Sequence, residues 1–317
     1  MTQLKLVLIG GNGFLGRHLV AHFRGLGYQI VSISRTGPGD VRWNARTPGP
    51  WVQELEGADL LVNLAGRSVD CRYTAANRRA ILASRTESTR VLGAAVAACA
   101  RPPRVWLNAS TATICPDTQG AAPANTEVSA TPGTSFSEEV GLAWEAAFAA
   151  SPAPATKVAL RTAIVLGRDG GAFPVMARLA RLGLCSPQGT GQQWISWLHI
   201  QDFCRAVAFL AQADSLSGPV NLCAPHPLRN GEFNALLARE LRPLLRLPQP
   251  RWLLEIGAFA LRTETELILK SRKVYPEQLL AAGFQFEYER CEAAVGELLR
   301  KTQIQPIYDH NEPKRLA

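Results

Sequence analysis

Residues 4–27 read LKLVLIGGNGFLGRHLVAHFRGLG, and the order of residue types in this stretch decides the fold. The apolar run 4–10 is typical of a buried parallel strand, and the amphipathic run 17–27 predicts a helix. Between them, glycines in the turn Gly10–Gly16 let the backbone bend tightly and approach a phosphate. The helix N-terminus adds unpaired N–H groups. A strand, a glycine-rich turn and a helix in this order predict a dinucleotide-binding unit.

Four more apolar runs suit buried strands, and amphipathic helical stretches lie between them. These runs are residues 28–35, 58–66, 104–110 and 157–167. The alternation of strands and helices predicts an α/β fold with a doubly wound, parallel Rossmann sheet.

The end of the second predicted strand indicates which dinucleotide is preferred. Arg35, in the pair Ser34-Arg35, stands where an NAD enzyme carries the acidic residue that binds the ribose hydroxyls. An arginine there fits a 2′-phosphate, so the sequence favours NADP(H); an ordinary surface arginine is the alternative. The third run ends Asn63-Leu64-Ala65-Gly66, small residues that let the backbone touch a cofactor or simply serve a tight turn.

The sequence pattern changes after Gly167, where glycine-rich loops and mainly helical stretches replace the regular alternation. Helices are predicted at 203–213, 231–242, 252–261 and 290–301, with a short strand at 197–200. We therefore expect an NADP-binding Rossmann domain over 1–167 and a smaller, mainly helical, substrate-facing C-terminal lobe over 168–301. The polar, proline-broken residues 302–317 are expected to form a flexible tail.

Composition argues against several classes of protein. The 317 residues carry a net charge of +8, but the basic residues are scattered, so we expect no nucleic-acid partner, although an anionic ligand is favoured. We expect a cytoplasmic protein with no membrane partner, because there is neither a signal peptide pattern nor a run of roughly 18 apolar residues. Seven cysteines without CxxC spacing predict reduced thiols and no metal site. The oligomeric state is left open.

Several motifs in fixed order resemble those of a known family. Besides the glycine turn and the NLAG sequence, the chain carries Ser84-Arg85, RTAIVLG at 161–167 and WLHIQD at 197–202. Together they resemble the extended, atypical short-chain dehydrogenases of the sugar-nucleotide epimerase-like group. Residues 272–286 resemble the C-terminal domain of unassigned function found in that group, so the resemblance runs nearly end to end.

The resemblance implies a Rossmann fold, a helical C-terminal lobe and NADP(H), with contacts to the nucleotide from Ser34, Arg35, Leu64, Ala65 and Arg85. The residues alone do not decide the role of Arg85. Its side chain either binds an anionic ligand or pairs with a surface carboxylate. The full predicted cofactor-binding set is Gly10, Gly13, Phe14, Leu15, Gly16, Ser34, Arg35, Leu64, Ala65, Gly66 and Arg85.

The proton-transfer pair of short-chain dehydrogenases, a tyrosine with a lysine four residues later, is absent from this sequence. In the family's pattern the tyrosine position falls near Val140 and the lysine position near Trp144. The remaining candidate catalytic residue is Ser110, beside Thr111 at a strand end, which orients a carbonyl or hydroxyl or merely caps a turn.

Other polar residues have more ordinary interpretations. Glu138, Glu139 and Glu145 are the nearest carboxylates, and a solvated face at a helix N-terminus explains the first two. His199 and Asp202 form either an acid/base pair or, the favoured interpretation, a strand-end histidine beside a helix-capping aspartate. The loop 189–194, with Trp194, lines a substrate pocket or packs within the lobe.

The sequence as a whole predicts an NADP(H)-dependent oxidoreductase or epimerase-like enzyme with an unidentified small-molecule substrate. The alternative is a catalytically weak NADP(H)-binding sensor or regulatory protein. The missing tyrosine–lysine pair favours the alternative, while the cofactor motifs favour neither, because a fold alone does not define a function.

Overall fold

The apolar runs predicted as strands lie side by side in a seven-stranded sheet whose neighbouring strands are all parallel. The computed structural model describes residues 3–36, 39–128, 135–153, 155–213, 215–247, 249 and 270–300. The sheet strands are β1 (Lys5–Ile9), β2 (Gln29–Ser34), β3 (Val41–Arg42), β4 (Leu60–Asn63), β5 (Val105–Thr111), β6 (Thr156–Thr162) and β10 (Gly218–Leu222). Four short strands lie outside it: β7 (Ile164–Leu166), β8 (Trp194–Ile195), β9 (Trp197–His199) and β11 (Leu228–Arg229).

Eight helices in the described residues accompany the strands. They are α1 (Phe14–Gly25), α2 (Ala75–Ala97), α3 (Phe136–Ala149), α4 (Phe173–Arg181), α5 (Ile200–Leu210), α6 (Asn230–Leu241), α7 (Glu277–Ala281) and α8 (Cys291–Leu299). Short 3-10 helices occupy Pro50–Leu55 and Ala112–Ile114. The predicted helix at 252–261 and the predicted tail at 302–317 lie outside the described residues.

The core consists of two layers, one on each face of the sheet. Leu6 and Leu8 of β1 pack in a cluster with α1 and α5, whereas Val7 and Ile9 pack in a second cluster with α2. All four side chains are at most 1% exposed. Because successive residues of a strand point to opposite faces, a strand covered on both sides needs an unbroken apolar run. The doubly wound arrangement predicted from the sequence is confirmed.

The strand order across the sheet is β10-β6-β5-β4-β1-β2-β3. β2 and β3 follow β1 on one side and β4 begins the other side, so the order of strand addition reverses between β1 and β4. The N–H of Leu64 donates to the carbonyl oxygen of Ile9 at 3.0 Å, which holds the ends of the two strands together. Ligands of open α/β sheets bind outside the carboxyl ends at such a switch point. The topology therefore places a candidate site between the loops that follow β1 and β4.

The sheet takes its seventh strand from residues 218–222, where the sequence analysis predicted no strand. The short strand predicted at 197–200 is present as β9, which lies outside this sheet. β10 pairs with β6, with Val220 opposite Leu160, and both side chains are fully buried. The rest of this region is mainly helical, as predicted, and α4, α6 and α8 pack around Phe173 and Phe233. All seven cysteines are free thiols, and no helix in the described ranges has the length and apolar character needed to cross a membrane.

Candidate functional site

A cavity of about 490 Å³ lies over the carboxyl ends of β1, β4 and β5. The described lining comes entirely from residues before Gly167, with further walls from α2 and α3. Eight of the eleven predicted cofactor residues line it, together with the candidate catalytic residue: Gly10, Gly13, Phe14, Leu15, Gly16, Leu64, Gly66, Arg85 and Ser110. The sequence motifs therefore converge on one cavity.

The glycine-rich turn uses its glycines in three different ways. Gly10 has a φ of +84°, a left-handed conformation that glycine adopts readily. At Gly16 an added Cβ would lie 2.4 Å from the carbonyl oxygen of Gly10, so the glycine lets α1 pack against the turn. At Gly13 the nearest atom to an added Cβ would be 3.5 Å away. Packing thus requires Gly16, whereas the space beside Gly13 stays open.

The N-terminus of α1 faces this space. Gly13 is the N-cap residue, and the first turn of the helix contains no acidic side chain. The first N–H groups of a helix have no partner within it, and the helix dipole adds positive potential. The turn and the helix end together can bind a phosphate group without a basic side chain.

A pair of buried asparagines shapes the loop after β4. Asn63 donates to the side-chain oxygen of Asn108 at 2.7 Å, and its own oxygen accepts the N–H of Ala65 at 3.0 Å. Leu64 and Gly66 consequently line the cavity, while Ala65 packs against the core beneath the sheet. Sequence reasoning grouped the three residues; Ala65 lies outside the described lining, and its backbone N–H is bound by Asn63.

Arg85 of α2 lies against the cavity floor. Its guanidinium donates to the carbonyl oxygens of Arg67 and Ile81, each at 3.1 Å, and lies over the Trp144 ring at 5.0 Å. Gly66 gives it room, since an added Cβ there would lie 3.4 Å from the guanidinium carbon. Burial lowers the pKa of Arg85 to about 10, and the described residues supply no carboxylate partner for it. The arrangement suits an anionic ligand rather than a surface ion pair.

Ser34 and Arg35, which were also predicted to contact the nucleotide, lie outside the described lining of the cavity. Ser34 is buried at the end of β2, and Arg35 is exposed directly after it. The loops after β1 and β2 are joined there, because the side chain of Asn12 donates to the carbonyl oxygen of Thr36 at 3.1 Å. Arg35 therefore remains accessible to a ligand that extends from the glycine turn across the end of β2.

Helix α3 presents Val140 and Trp144 to the cavity at the positions where the family's pattern has tyrosine and lysine. Trp144 donates its indole N–H to the Thr89 hydroxyl at 3.1 Å, which fixes the ring beneath Arg85. The helix packs closely at Gly141, where an added Cβ would lie 3.2 Å from Thr111 of β5 and 3.2 Å from Ile114 of the following 3-10 helix. Neither side chain that α3 offers here transfers a proton.

Ser110 is joined to a buried ion pair. Its hydroxyl donates to Oε1 of Glu145 at 2.6 Å, and Arg161 binds both oxygens of that carboxylate through Nε and Nη2, each at 2.8 Å. The three residues come from β5, α3 and β6, and Ser110 and Arg161 are direct partners across the sheet. Burial acts to lower the pKa of Arg161, but the hydrogen bonds and charge of Glu145 outweigh it and raise that pKa. Arg161 is therefore held in its charged form.

The sequence analysis named Glu145 only as a nearby carboxylate. For Glu138 and Glu139 it predicted a solvated face at a helix N-terminus. That interpretation is wrong for Glu138, which is buried, contacts Lys270 and accepts the N–H of Ser135 at 2.8 Å as part of a capping box. Glu139 is exposed as predicted. Nothing in local spacing distinguishes the three, because the partners of Glu145 lie on two other elements.

His199 and Asp202 lie outside the described lining of this cavity. His199 ends β9, as the favoured interpretation predicted, whereas Asp202 does not cap the helix. His199 is the N-cap of α5 and accepts the N–H of Gln201 at 3.2 Å, so the predicted cap by Asp202 is wrong. Asp202 is fully buried and accepts from the side chain of Arg205 and the N–H groups of Glu287 and Tyr288. It ties the C-terminal segment to α5.

Trp194 lies outside the described lining of the cavity. Its indole N–H donates to the carbonyl oxygen of Gly120 at 3.2 Å, and the cationic groups of Arg229 and Lys273 lie 3.8 and 4.6 Å from its ring centre. The contacts favour packing over a place in the pocket lining. The packing is not confined to the predicted lobe, because Gly120 lies before Gly167.

The comparisons with known proteins agree with this geometry. The model of the NAD dependent epimerase/dehydratase family matches residues 6–223, which include every described residue that lines the cavity. The chain belongs to this family. A second model, of a domain of unknown function, matches residues 249–298, so both parts of the resemblance predicted from the sequence are confirmed.

Relatives match the chain over nearly its full length. The human epimerase family protein SDR39U1 is 30% identical over 308 residues, which cover 93% of this chain and 100% of that protein. The Bacillus subtilis epimerase family protein YfhF is 29% identical over 309 residues, covering 94% of this chain and 100% of that protein.

Two solved structures illustrate the shared fold. The crystal structure of human SDR39U1 (isoform 2) with NADPH has a TM-score of 0.81 and 28% identity, and covers 93% of this chain and 99% of that one. The nucleoside-diphosphate sugar epimerase from Corynebacterium glutamicum has a TM-score of 0.75 and 28% identity, with 94% of this chain and 58% of that one covered.

Proposed function

We propose that this family member is an NADP(H)-dependent oxidoreductase or epimerase-like enzyme acting on a small molecule. The observation that carries the proposal is the open space beside Gly13 at the N-terminus of α1. An added Cβ would meet no atom closer than 3.5 Å there, so the glycine is not needed for packing. A pyrophosphate fits this space, with the helix N–H groups as donors.

The choice of NADP(H) rests on the end of β2. Exposed Arg35 can bind a 2′-phosphate with charge-assisted hydrogen bonds, and Ser34 adds a hydroxyl next to it. The structure of human SDR39U1 with NADPH supports this choice by similarity. When bound, the nicotinamide donates or accepts a hydride.

Other predicted residues would hold the rest of the cofactor. The backbone of Leu64, Ala65 and Gly66 lies at the edge over which a dinucleotide passes, and Arg85 lies beside Gly66 with its charge uncompensated by a described carboxylate. A negative ligand group there would offset the cost of burying the guanidinium. Ser110 would contact the substrate, since it lines the cavity beyond this edge.

A Gly13→Val substitution tests the cofactor site. The branched side chain fills the open space, so we expect NADPH binding to be lost while the fold is kept, as measured by calorimetry and circular dichroism. Gly25→Val is the matched control, because Gly25 lies at the far end of α1 with no atom within 4 Å of an added Cβ. Tight NADPH binding by folded Gly13→Val protein would refute the site.

The second candidate function, a catalytically weak NADP(H)-binding sensor, is favoured by Val140 and Trp144 in place of a proton-transfer pair. General acid catalysis supplies about 10²- to 10⁴-fold in rate, so ordinary carbonyl reduction should be slow. NADPH absorbance in the presence of sugar nucleotides, aldehydes, ketones and quinones separates the two functions. Turnover that Ser110→Ala abolishes supports an enzyme, whereas tight NADPH binding without any turnover supports the sensor.

A further inference from the structure

One wall of the cavity is apolar and partly aromatic. It is formed by Val69, Tyr73, Ile81, Phe136 and Val140, which also form a hydrophobic cluster at the start of α2 and α3. The rings of Tyr73 and Phe136 meet edge to face with centroids 4.9 Å apart. A ligand with a flat apolar face would bind favourably to this wall, because both apolar surfaces would be removed from water. The wall is the apolar part of a lining that also contains the hydroxyl groups of Ser68 and Ser137.

The cavity lining also contains Ser110, whose hydroxyl proton is already used in a hydrogen bond. The 2.6 Å hydrogen bond from its hydroxyl to Glu145 has the length of a charge-assisted bond to a carboxylate. Turning this proton toward a ligand would remove one of the donors to a carboxylate whose side chain is only 17% exposed. Ser110 therefore presents its oxygen lone pairs to the cavity and acts there as an acceptor.

The direction of this hydrogen bond is set by residues outside the cavity lining. Arg161 binds both oxygens of Glu145 and is itself only 9% exposed, so two hydrogen bonds hold the carboxylate group in place. Glu145 is therefore a positioning residue that acts through Ser110. A ligand carbonyl or ether oxygen facing Ser110 would meet a second acceptor, whereas a ligand hydroxyl would meet a partner.

We propose that the ligand bound beside the cofactor is a flat, apolar alcohol of the arylmethanol or allylic class. Its hydroxyl donates to Ser110, and its flat frame lies against Val69, Tyr73 and Phe136. This inference rests on the proposed function and deepens it by assigning a substrate class. It concerns binding, so it is tested without knowledge of the reaction.

The test compares two matched ligands in the presence of saturating NADPH. Cinnamyl alcohol has a flat frame and a hydroxyl donor, and cinnamyl methyl ether has the same frame without the donor. Neither ligand can accept a hydride at its oxygen-bearing carbon, so calorimetry reports binding alone. We expect the alcohol to bind about tenfold more tightly, the effect of one hydrogen bond. Ser110→Ala should remove this preference, and Ser88→Ala, at a buried serine that donates only to helix carbonyls, should keep it.

Glu145→Gln separates hydrogen bonding from size. The substitution keeps the side-chain volume but removes the charge that fixes the Ser110 proton, so the preference for the alcohol should shrink to less than about threefold. If the ether binds poorly only because its methyl group is too large, the preference will be unchanged. Tyr73→Ala should weaken both ligands equally, since it removes part of the shared apolar wall.

Three results would overturn the inference: equal affinity of alcohol and ether, no binding of cinnamyl alcohol at its solubility limit, or tighter binding of UDP-glucose than of cinnamyl alcohol. The NADPH affinity of each variant is measured first and reports whether the variant has kept its site. Wild-type protein that binds NADPH but lacks the alcohol preference refutes this inference alone. Wild-type protein that binds no NADPH refutes the proposed function, and the inference with it.

Discussion

Replacing Arg85 by methionine should weaken NADPH binding without destabilising the cofactor-free protein. The guanidinium lies between the Trp144 ring and Gly66, and its hydrogen bonds go to the carbonyl oxygens of Arg67 and Ile81. Methionine is long and apolar enough to fill most of the same space. The substitution therefore removes the charge while preserving much of the packing.

The expected change in stability follows from the pKa of Arg85, which burial lowers to about 10. At about 1.36 kcal/mol per pKa unit, keeping the group charged costs the folded protein about 3 kcal/mol at neutral pH. This cost persists below pH 10 and disappears as the pH rises above it, because only the charged form is penalised. The substitution removes the cost, but also two hydrogen bonds and a cation–π contact worth about 1 kcal/mol each. The free energy of unfolding of Arg85→Met should therefore lie within about 1 kcal/mol of the wild-type value.

Urea unfolding gives the free energy of unfolding, and calorimetry gives the NADPH affinity. A lost charge-assisted hydrogen bond is worth about 1.5 to 3 kcal/mol, so the affinity of Arg85→Met should fall about ten- to hundredfold. Arg104→Met is the control. Arg104 directly precedes β5, at the end of that strand away from the cavity, and donates to the carbonyl oxygen of Ala211. Unchanged NADPH affinity with a loss of more than about 3 kcal/mol in stability would show that Arg85 is structural.

Three further predictions concern single side chains. Arg35→Ala should weaken NADPH about ten- to hundredfold and leave NADH unchanged in calorimetry; equal losses for both would refute binding of the 2′-phosphate. Burial lowers the pKa of His199 below 6.5 despite the opposing effect of Glu297, so protonation of the unfolded chain should reduce the urea midpoint as the pH falls from about 7.5 to about 5.5. His199→Gln should reduce that dependence, and an identical pH profile would contradict it. Asp202→Asn, which removes a buried charge with three donors, should cost about 3 kcal/mol in urea unfolding, and a cost below about 1 kcal/mol would show that its contacts are weak.

Much of the part of the cavity that we propose binds the cofactor could be predicted from the sequence, because its determinants are local. A tight turn, a close approach of the helix to that turn and a helix N-terminus all arise within Gly10–Gly16, and glycine allows the first two. The loop after β4 was found for a related reason, since the carboxyl ends of parallel strands meet at the same end of the sheet. The hydrogen bond that fixes this loop, from the N–H of Ala65 to Asn63, was not predicted.

The part of the cavity around Ser110, which we propose contacts the substrate, could not be predicted in the same way. Ser110, Glu145 and Arg161 lie on three elements. Only the pairing of β5 with β6 and the packing of α3 bring Ser110 and Arg161 each within 2.8 Å of Glu145. The place of β10 in the sheet was not predicted either, because its pairing partner, β6, is distant along the chain.

The sequence by itself determined the Rossmann unit, the glycine turn and the absence of a tyrosine–lysine pair, all of which depend on residue type and spacing within one segment. Only the tertiary structure decided which carboxylate Ser110 contacts, which way its proton points and which side chains form the apolar wall. Hydrogen bonds and apolar contacts depend on distance in space, and packing of the helices on the sheet sets that distance.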